Sequence, residues 1–436
     1  MTIASVLALV MTASVVAAPA PVPIEWTSCG NSAECATLQL PVDWSDPGGE
    51  KFGFRVARHQ AKPGLRVGTL VFGPGGPGDS GVGVITDPTR FDRFSQDLID
   101  RFDIVSYDPR GVGQSSPMPC PAPASPVIAS AADFDLRIQQ NQAAWAKCRE
   151  DYGPLWEHAD SLSTVRDIDA LRSALGERQL TFHGSSYGTL VGELYAETYP
   201  SRTRAVVLES SVDHSQRTAG FVRTQAWALQ DSFDAFAAWC DATESCALHG
   251  KDVHAEWAAL LDAAGPDEVW DLTATAHRSM YAPDYAGFAG AIAAGDIEKQ
   301  STPEPATAVS CNDWALPVRD YASYQRLITS NATRDFRYSA GVLAIGTCLG
   351  WPRPVADPQH RLDVHTRTPL LLINARHDPA SGYNWALSVA AQLGRHGVLL
   401  TYDGAGHGSY NRSTCVKAAV DAYLMNLTVP RRGTVC

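Results

Sequence analysis

The sequence predicts an α/β fold in which a mostly parallel β-sheet is flanked by helices on both faces. Short apolar runs that read as buried strands alternate with stretches of helical spacing in the first and last parts of the chain, a rhythm typical of parallel sheets. Between residues 214 and 367 the strand-like runs become scarce. We therefore expect a sheet core over residues 21–213 and 368–436, interrupted by a mainly helical cap over residues 214–367.

The strands are predicted from short runs rich in β-branched and aromatic residues that are bounded by turn residues. In chain order these runs cover residues 36–40, 52–60, 67–72, 104–107, 180–182, 205–208, 369–374 and 398–402. Helical spacing and cap-like residues predict the helices. These cover residues 133–152, 164–175, 189–198, 225–240, 253–264 and 281–294. The last three helices fall in the insertion, which is why we expect it to be mainly helical.

Length and composition indicate a globular protein with a large core. The chain has 436 residues, of which 45% are hydrophobic and 19% charged, so it forms either two domains or one elaborated α/β domain. Its formal net charge of −12 argues against nucleic acid or an anionic membrane as the main partner. We expect a monomer that acts on a peptide or another small molecule.

The N-terminus resembles a secretory signal peptide. Residues 1–20 carry no charge, and an apolar run over residues 3–16 is followed by small residues, as in the core and cleavage region of such a leader. The positively charged start of a signal peptide is missing. A membrane anchor is the competing interpretation, but the run is short for a span and prolines follow it at once. We expect an extracellular protein.

Ten cysteines support the same placement, because an even number in an exported chain indicates disulfide bonds. Connectivity cannot be deduced from sequence, so pairing in chain order is a hypothesis that favours small loops. A zinc site is the alternative, but the chain has no C-x-x-C pair. The hypothesis pairs Cys29 with Cys35, Cys120 with Cys148, Cys240 with Cys246, Cys311 with Cys348, and Cys415 with Cys436.

A G-x-S-x-G pentapeptide identifies a candidate nucleophile. Residues 184–188 read Gly-Ser-Ser-Tyr-Gly between a predicted strand and a predicted helix. A sharp strand-to-helix turn exposes the serine hydroxyl, and the flanking glycines remove Cβ atoms that would clash in it. The pentapeptide alone is weak evidence, but this context points to Ser186 as a nucleophile.

A base and an acid follow at the ends of two later strands. His407 lies in a glycine-rich loop after the last predicted strand, and Asp378 follows the strand before it. Alone, His407 would read as a surface-loop histidine and Asp378 as a turn aspartate before proline. The order Ser186, Asp378, His407 is the one expected of the α/β-hydrolase fold. Asp403 is a rival acid, but it shares the loop of His407 and could orient the imidazole only awkwardly.

A glycine cluster over residues 73–78 follows another predicted strand. An oxyanion hole needs backbone N–H groups close to a tetrahedral oxygen, and glycines allow that approach. We expect one N–H donor from Gly76 and one from Tyr187, the residue after the nucleophile. A simple Gly-Pro turn is the alternative. The histidines show no helical metal-ligand spacing, so we expect neither a metal nor a cofactor.

Five segments together resemble secreted bacterial tripeptidyl aminopeptidases, which are α/β-hydrolase serine exopeptidases related to proline iminopeptidase. The segments cover residues 73–78, 108–115, 184–188, 378–381 and 406–408. The resemblance spans most of the mature chain and is weakest in the insertion. Proline iminopeptidases carry a histidine where this chain has Pro74, and the difference is typical of the tripeptidyl branch.

The resemblance implies that Ser186, Asp378 and His407 form a catalytic triad, with Gly76 and Tyr187 as the oxyanion hole. It also implies acidic groups that bind the free amine of the substrate, since a charged partner offsets the desolvation of an ammonium. Asp313 and Asp213 are the candidates, although the number of acidic groups that are simply solvated favours a structural or surface carboxylate in each case. Ser381 either supports the acid loop or caps the helix that starts near residue 382.

Three hypotheses about function follow. The first is an exported serine aminopeptidase that releases short peptides, tripeptides above all, through an acyl-enzyme on Ser186. The second is an esterase or amide hydrolase that acts on a small secreted metabolite with the same triad. The third is a catalytically inactive hydrolase used as a binding module, which is disfavoured because no triad residue is missing.

Overall fold

A computed structural model describes residues 24–120, 127–297 and 307–436. The predicted signal peptide over residues 1–20 lies outside the described residues. The described part contains a nine-stranded sheet. Its strands are β1 (Thr27–Gly30), β2 (Ala33–Pro41), β3 (Lys51–His59), β4 (Gly68–Gly73), β5 (Phe102–Tyr107), β6 (Leu180–Ser185), β7 (Thr203–Glu209), β8 (Leu370–His377) and β9 (Gly397–Ala405).

The sheet is antiparallel at one side and parallel over the rest. The strand order is β1-β2-β3-β5-β4-β6-β7-β8-β9. Strands β1, β2 and β3 pair antiparallel, as do β3 and β5, and the remaining neighbours pair parallel. Parallel pairing aligns the carboxyl ends of β4, β6, β7, β8 and β9 along one edge. This order confirms the predicted α/β-hydrolase fold.

Helices cover both faces of the sheet. Before β8 they are α1 (Gly81–Thr86), α2 (Pro88–Phe91), α3 (Gln96–Arg101), α4 (Ala131–Tyr152), α5 (Pro154–Glu157), α6 (Ser161–Ala174), α7 (Gly188–Thr198), α8 (Thr218–Ala242), α9 (Val253–Ala263), α10 (Pro266–Tyr281), α11 (Tyr285–Ala294), α12 (Thr307–Asp313), α13 (Tyr321–Asn331) and α14 (Ala340–Cys348). After β8 come α15 (Tyr383–Leu393) and α16 (Thr414–Asn426). None of the helices in the described ranges is both long and apolar enough to cross a membrane.

Side chains alternate between two cores because successive strand residues point to opposite faces. On β7, Val206 and Leu208 join the core on one face, whereas Ala205 and Val207 join the core on the other. All four are fully buried. This double burial is typical of parallel strands and explains their continuous apolar runs in the sequence.

Every described element between β7 and β8 is a helix, α8 to α14. A separate aromatic core holds several of these helices together, with Phe233, Phe236, Trp257, Phe288 and Phe336 among its buried members. The seven helices include four that the sequence analysis missed: α10, α12, α13 and α14. A predicted helix over residues 281–294 was wrong at its start, because Tyr281 ends α10 and Asp284 caps α11.

Five disulfide bonds pair all ten cysteines in chain order, as predicted. Two of them lie within the insertion. Cys240–Cys246 closes the end of α8, and Cys311–Cys348 joins α12 to α14. The second bond therefore links two helices of the insertion that are separated by 37 residues in sequence.

Candidate active site

Ser186 occupies a sharp turn between β6 and α7. Its φ is +55°, a left-handed conformation that is uncommon for a residue with a side chain. The Ser186 N–H donates to the Glu209 carbonyl at 2.8 Å, which ties the turn to the end of β7. A Cβ on Gly184 would lie 2.4 Å from the Gly188 carbonyl oxygen, and one on Gly188 would lie 2.4 Å from that of Gly73. Both glycines of the pentapeptide are therefore required by close backbone packing.

His407 and Asp378 are in direct contact. The His407 Nδ1 lies 2.9 and 3.0 Å from the two carboxylate oxygens of Asp378. The Asp378 side chain is fully buried, and its Oδ1 accepts the N–H groups of Ala380 and Ser381, each at 2.9 Å. This pairing fixes the imidazole so that Nδ1 carries the proton and Nε2 is the basic atom.

The other nitrogen of the imidazole is available for chemistry. His407 Nε2 is buried and has no hydrogen-bond partner among the described residues. Ser186 and His407 line the same cavity. The rival acid, Asp403, instead pairs with Arg376 at the surface. The structure thus brings Ser186, Asp378 and His407 to the carboxyl ends of β6, β8 and β9.

A residue at the end of α10 contacts the imidazole. The ring of Tyr281 stacks on His407 with 4.4 Å between ring centroids, and the Tyr281 carbonyl accepts the His407 backbone N–H at 2.8 Å. No sequence pattern predicts this role for Tyr281, because nothing in the sequence links the end of α10 to a loop more than 120 residues later. A tyrosine before a proline turn carries no specific signal.

The glycine loop after β4 approaches the nucleophile closely. A Cβ on Gly75 would lie 2.9 Å from the Cβ of Ser186. Gly76, which has a φ of +104°, lines a cavity together with Ser186 and Tyr187. Tyr187 is the N-cap residue of α7, where backbone N–H groups face outward and favour negative charge.

Two cavities meet at Ser186. The first, of about 430 Å³, is bounded by His407 and carries three arginines, Arg90, Arg93 and Arg412. The second, of about 630 Å³, lies beneath the helical insertion. Its lining is mostly apolar and includes Val212, Phe221, Trp314, Leu316, Leu343 and Trp385. We call them the arginine cavity and the apolar cavity.

The structure places the two predicted amine-binding carboxylates away from both cavity linings. Asp213 is buried, and its oxygens accept hydrogen bonds from Ser215, Gln216 and Gln392. Asp313 is also buried, next to Tyr187. Among the described residues, the carboxylate that lines the apolar cavity is Asp79, which the sequence analysis did not single out.

Asp313 instead supports the residue after the nucleophile. Its carboxyl group accepts the Tyr187 hydroxyl at 2.6 Å and the Ser161 N–H at 2.8 Å. Burial raises the pKa of Asp313 to about 7, and the nearby charge of Asp160 adds to the effect. Both oxygens of Asp313 are thus engaged by Ser161 and the Tyr187 hydroxyl, which favours a structural role for this carboxyl group.

Ser381 acts through its main chain. Its N–H donates to Asp378, and its carbonyl accepts a hydrogen bond from Asn374 at 3.0 Å. Helix α15 begins at Tyr383 after Gly382, and no side-chain hydrogen bond caps it. The position therefore fits support of the acid loop better than the alternative of a serine N-cap.

A buried contact between a carboxylate and an imidazole lies next to the strand that binds the Ser186 backbone. Glu209, at the end of β7, lies 3.0 Å from His183 Nε2 and accepts the N–H groups of Ser409 and Tyr410 at 2.8 Å. Burial alone would raise the pKa of Glu209, but the hydrogen bond and charge of His183 lower it to about 2. This pair fastens the loop of His407 to the strand that also binds the Ser186 backbone.

One group of side chains has the spacing of a metal site. Asp234, His254 and Asp335 lie together in the insertion. Arg334 forms ion pairs with both aspartates, and Gln230 donates to both as well. The carboxylates are thus already occupied by donors from the protein, which favours a structural ion-pair network over a metal site.

The chain is similar to characterised relatives over nearly its whole length. It is 28% identical to the serine protease Hip1 of Mycobacterium tuberculosis, with 95% of this chain and 91% of the relative covered. It is 27% identical to the tripeptidyl aminopeptidase of Streptomyces lividans, covering 95% and 86%. Carboxylesterase B of Mycobacterium tuberculosis is 28% identical, with coverage of 94% and 89%.

The C-terminal part also matches a protein family. Residues 337–436, which include Asp378 and His407, match the family described as TAP-like protein. The resemblance found in the sequence is thereby confirmed. With the parallel sheet and its strand-to-helix turn at Ser186, these likenesses show that the chain is a serine hydrolase of the α/β-hydrolase fold, related to the tripeptidyl aminopeptidases.

Proposed function

We propose that the chain is an exported serine peptidase that releases short peptides, tripeptides above all, from free N-termini. The observation that carries the proposal is that Ser186 and His407, whose imidazole contacts Asp378, line the same cavity at the carboxyl edge of the sheet, while Ser186 also lines the apolar cavity. The relatives named above include a serine protease and a tripeptidyl aminopeptidase. Export is supported by the pairing of all ten cysteines in disulfide bonds, which persist in oxidising compartments.

The reaction proceeds through an acyl-enzyme. His407 Nε2 takes the Ser186 proton as Oγ attacks the scissile carbonyl, and the oxyanion is stabilised by the backbone N–H groups of Gly76 and Tyr187. The C–N bond then breaks, and His407 delivers the proton to the leaving amine. A water molecule hydrolyses the ester by the same steps. Asp378 keeps the imidazole in the required tautomer and stabilises its charged form.

The apolar cavity suits the acyl part of the substrate. Its aromatic walls, among them Phe221, Trp314 and Trp385, bury side chains of a short peptide. Neither Asp213 nor Asp313 has an amine-binding role in this proposal, since their oxygens are engaged within the protein. Asp79 lies beside Ser186 and lines both cavities, so it is the described carboxylate that a substrate amine could reach.

The test uses a tripeptidyl aminomethylcoumarin reporter with a free amine and its N-acetylated form. We expect rapid release from the free form and slow release from the acetylated form. Ser186→Ala should lower kcat by about 10⁴-fold or more and abolish labelling by a fluorophosphonate. Ser185→Ala, one residue earlier, is the matched control and should still be labelled. Reporter hydrolysis that survives Ser186→Ala would contradict the mechanism.

An esterase or amide hydrolase is the second candidate. The chemistry of the apolar cavity favours this candidate. The lining of the cavity is mostly apolar, and among the described residues it contains one carboxylate, that of Asp79. Carboxylesterase B is among the relatives. Equal rates for the free and acetylated reporters, together with faster hydrolysis of a short-chain ester, would favour this candidate over the peptidase.

A further inference from the structure

The arginine cavity lies on the leaving-group side of Ser186. His407 lines this cavity, whereas the oxyanion-hole residues Gly76 and Tyr187 line the apolar cavity. The imidazole must hand its proton to the departing amine, so the leaving group has to lie next to His407. The volume of about 430 Å³ falls within the range of ligand pockets.

Arg93 is the unusual residue of this cavity. It lies between α2 and α3, and its guanidinium sits over the buried ring of Phe72 at 4.9 Å from the ring centroid. No carboxylate or carbonyl of the described residues accepts a hydrogen bond from it. Burial lowers the pKa of Arg93, because the cation loses water without gaining a partner.

Two other arginines that are removed from solvent find acceptors within the described residues. Arg110, which is fully buried, binds the carboxylate of Asp167 and three backbone carbonyls. Arg204, which is half-buried, donates to the Leu424 and Met425 carbonyls. Because a desolvated guanidinium is costly unless an anion or several acceptors compensate it, the unpaired state of Arg93 points to a partner that arrives with the substrate.

The acids near Arg93 do not supply that partner. Glu209 lines the same cavity, but His183 and two backbone N–H groups already hold its carboxylate. Asp79 is exposed and forms no ion pair with Arg93 among the described contacts. Arg412, held by the carbonyls of Gly408 and Tyr281, and Arg90 add further positive charge to the wall.

We propose that the arginine cavity receives the residue that follows the scissile bond and that Arg93 binds a carboxylate of this residue. The inference rests on the proposed peptidase function. The carboxylate is either an acidic side chain or the free C-terminus of a substrate one residue longer than the released peptide. A guanidinium recognises both through charge-assisted hydrogen bonds.

Two matched peptide pairs test the preference on the wild-type enzyme. Ala-Ala-Ala-Asp-amide is compared with Ala-Ala-Ala-Asn-amide, and free Ala-Ala-Ala-Ala with its C-terminal amide, by mass spectrometry of the products. We expect kcat/KM to be about tenfold or more higher for the carboxylate member of at least one pair. The pair that responds identifies the source of the carboxylate. Equal rates within both pairs would overturn the proposal.

Substitution of Arg93 tests whether this residue causes the preference for a carboxylate. Arg93→Met should abolish the preference, Arg93→Lys should retain part of it, and both should change kcat/KM for the uncharged coumarin reporter by less than about threefold. The control is Arg337→Met, which removes an exposed arginine that is likewise stacked on a ring, that of Tyr338. A preference that survives in Arg93→Met, or an equal loss on the uncharged reporter, would refute the role of Arg93.

The reporter also separates this inference from the proposed function. If the wild-type enzyme hydrolyses esters but not the tripeptidyl reporter, the peptidase proposal fails. If it hydrolyses the reporter but shows no preference in either peptide pair, the peptidase proposal stands and the carboxylate site fails. Loss of the preference at high ionic strength, with unchanged reporter hydrolysis, would support an ionic contact at Arg93.

Discussion

At the scale of single residues, the backbone conformation of the turn at Ser186 is tightly constrained by its surroundings. The left-handed φ of Ser186 is maintained by its hydrogen bond to Glu209 and by close packing of Gly188 against the glycine loop. A strained backbone conformation of this kind persists only where several surrounding contacts hold it in place. The turn therefore depends on backbone groups of neighbouring residues rather than on their side chains.

Gly188→Ala is expected to disrupt the turn. The new Cβ would lie 2.4 Å from the Gly73 carbonyl oxygen and 2.7 Å from that of Pro74, and backbone atoms cannot move aside cheaply. We expect a loss of about 2 kcal/mol or more in the free energy of unfolding and loss of fluorophosphonate labelling. Gly290→Ala, in α11 with no atom within 4 Å of the new Cβ, should be neutral or stabilising by up to about 1 kcal/mol.

The acid is constrained as tightly as the nucleophile. In Asp378→Asn, the single amide oxygen would stay with the N–H groups of Ala380 and Ser381, and the amide nitrogen would face His407 Nδ1. The imidazole would then adopt the wrong tautomer, so we expect kcat to fall by about 10⁴-fold with little change in folding. Asp403→Asn should leave kcat within about twofold of the wild-type value. A small effect of Asp378→Asn would argue for another acid.

At the scale of elements, the loop over residues 108–115 has a structural role. Asp108 accepts the Ser80 hydroxyl and the N–H groups of Val82 and Gln114, which ties the end of β5 to the start of α1. Arg110 reaches the opposite way, to Asp167 on α6. The motif thus joins the glycine loop to the helix layer, although no residue of this motif lines either cavity beside Ser186.

Arg110→Met tests this joining role. The substitution leaves the fully buried carboxylate of Asp167 without its cation, so we expect the free energy of unfolding to fall by about 3–5 kcal/mol. Arg66→Met breaks an exposed ion pair with Asp103 and should cost less than about 1 kcal/mol. Chemical denaturation monitored by tryptophan fluorescence measures both. Similar small losses for the two variants would show that the buried pair is dispensable.

At the scale of the whole molecule, buried histidines link stability to pH. Burial lowers the pKa of His214 to about 4, and burial also lowers the pKa of His277 to about 4. Both pKa values in the folded state lie below the ordinary value of about 6.5. The unfolded chain therefore takes up protons first as the pH falls, and stability decreases. The loss is spread between about pH 6.5 and pH 4.

His214→Gln should remove part of this pH dependence. Relative to the variant, the wild-type free energy of unfolding should fall by up to about 3 kcal/mol between about pH 6.5 and pH 4. Asp313, whose pKa is raised to about 7, takes up its proton in the folded state over the same interval and acts in the opposite sense, but it is present in both proteins and cancels from the difference. Urea denaturation at a series of pH values measures the slopes. Parallel curves for the two proteins would exclude a contribution from His214.

Sequence patterns predicted the sheet better than the insertion. Parallel strands are buried on both faces, so their apolar runs stand out, and eight of the nine strands were located. Helices of the insertion pack on an aromatic core of their own, where Trp and Phe replace the simple polar and apolar periodicity. Helix α10 was missed and the start of α11 was misplaced within this core. Helices α12 to α14 were also missed, but they bury their apolar residues in other clusters of the core, among them Tyr324, Ile328, Val342 and Ile345.

The sequence by itself determined the fold class and the order of Ser186, Asp378 and His407, because each depends on local spacing or on chain order. The pairing of the cysteines in chain order was a hypothesis that the structure confirmed. Only the tertiary structure decided which charged groups reach the cavities. It placed Asp213 and Asp313 in hydrogen-bonded interiors, and it put Arg93 in the same cavity as His407 with no hydrogen-bond acceptor among the described residues. Contacts of this kind join residues far apart in the chain, and a side chain's environment there is set by packing rather than by its neighbours in sequence.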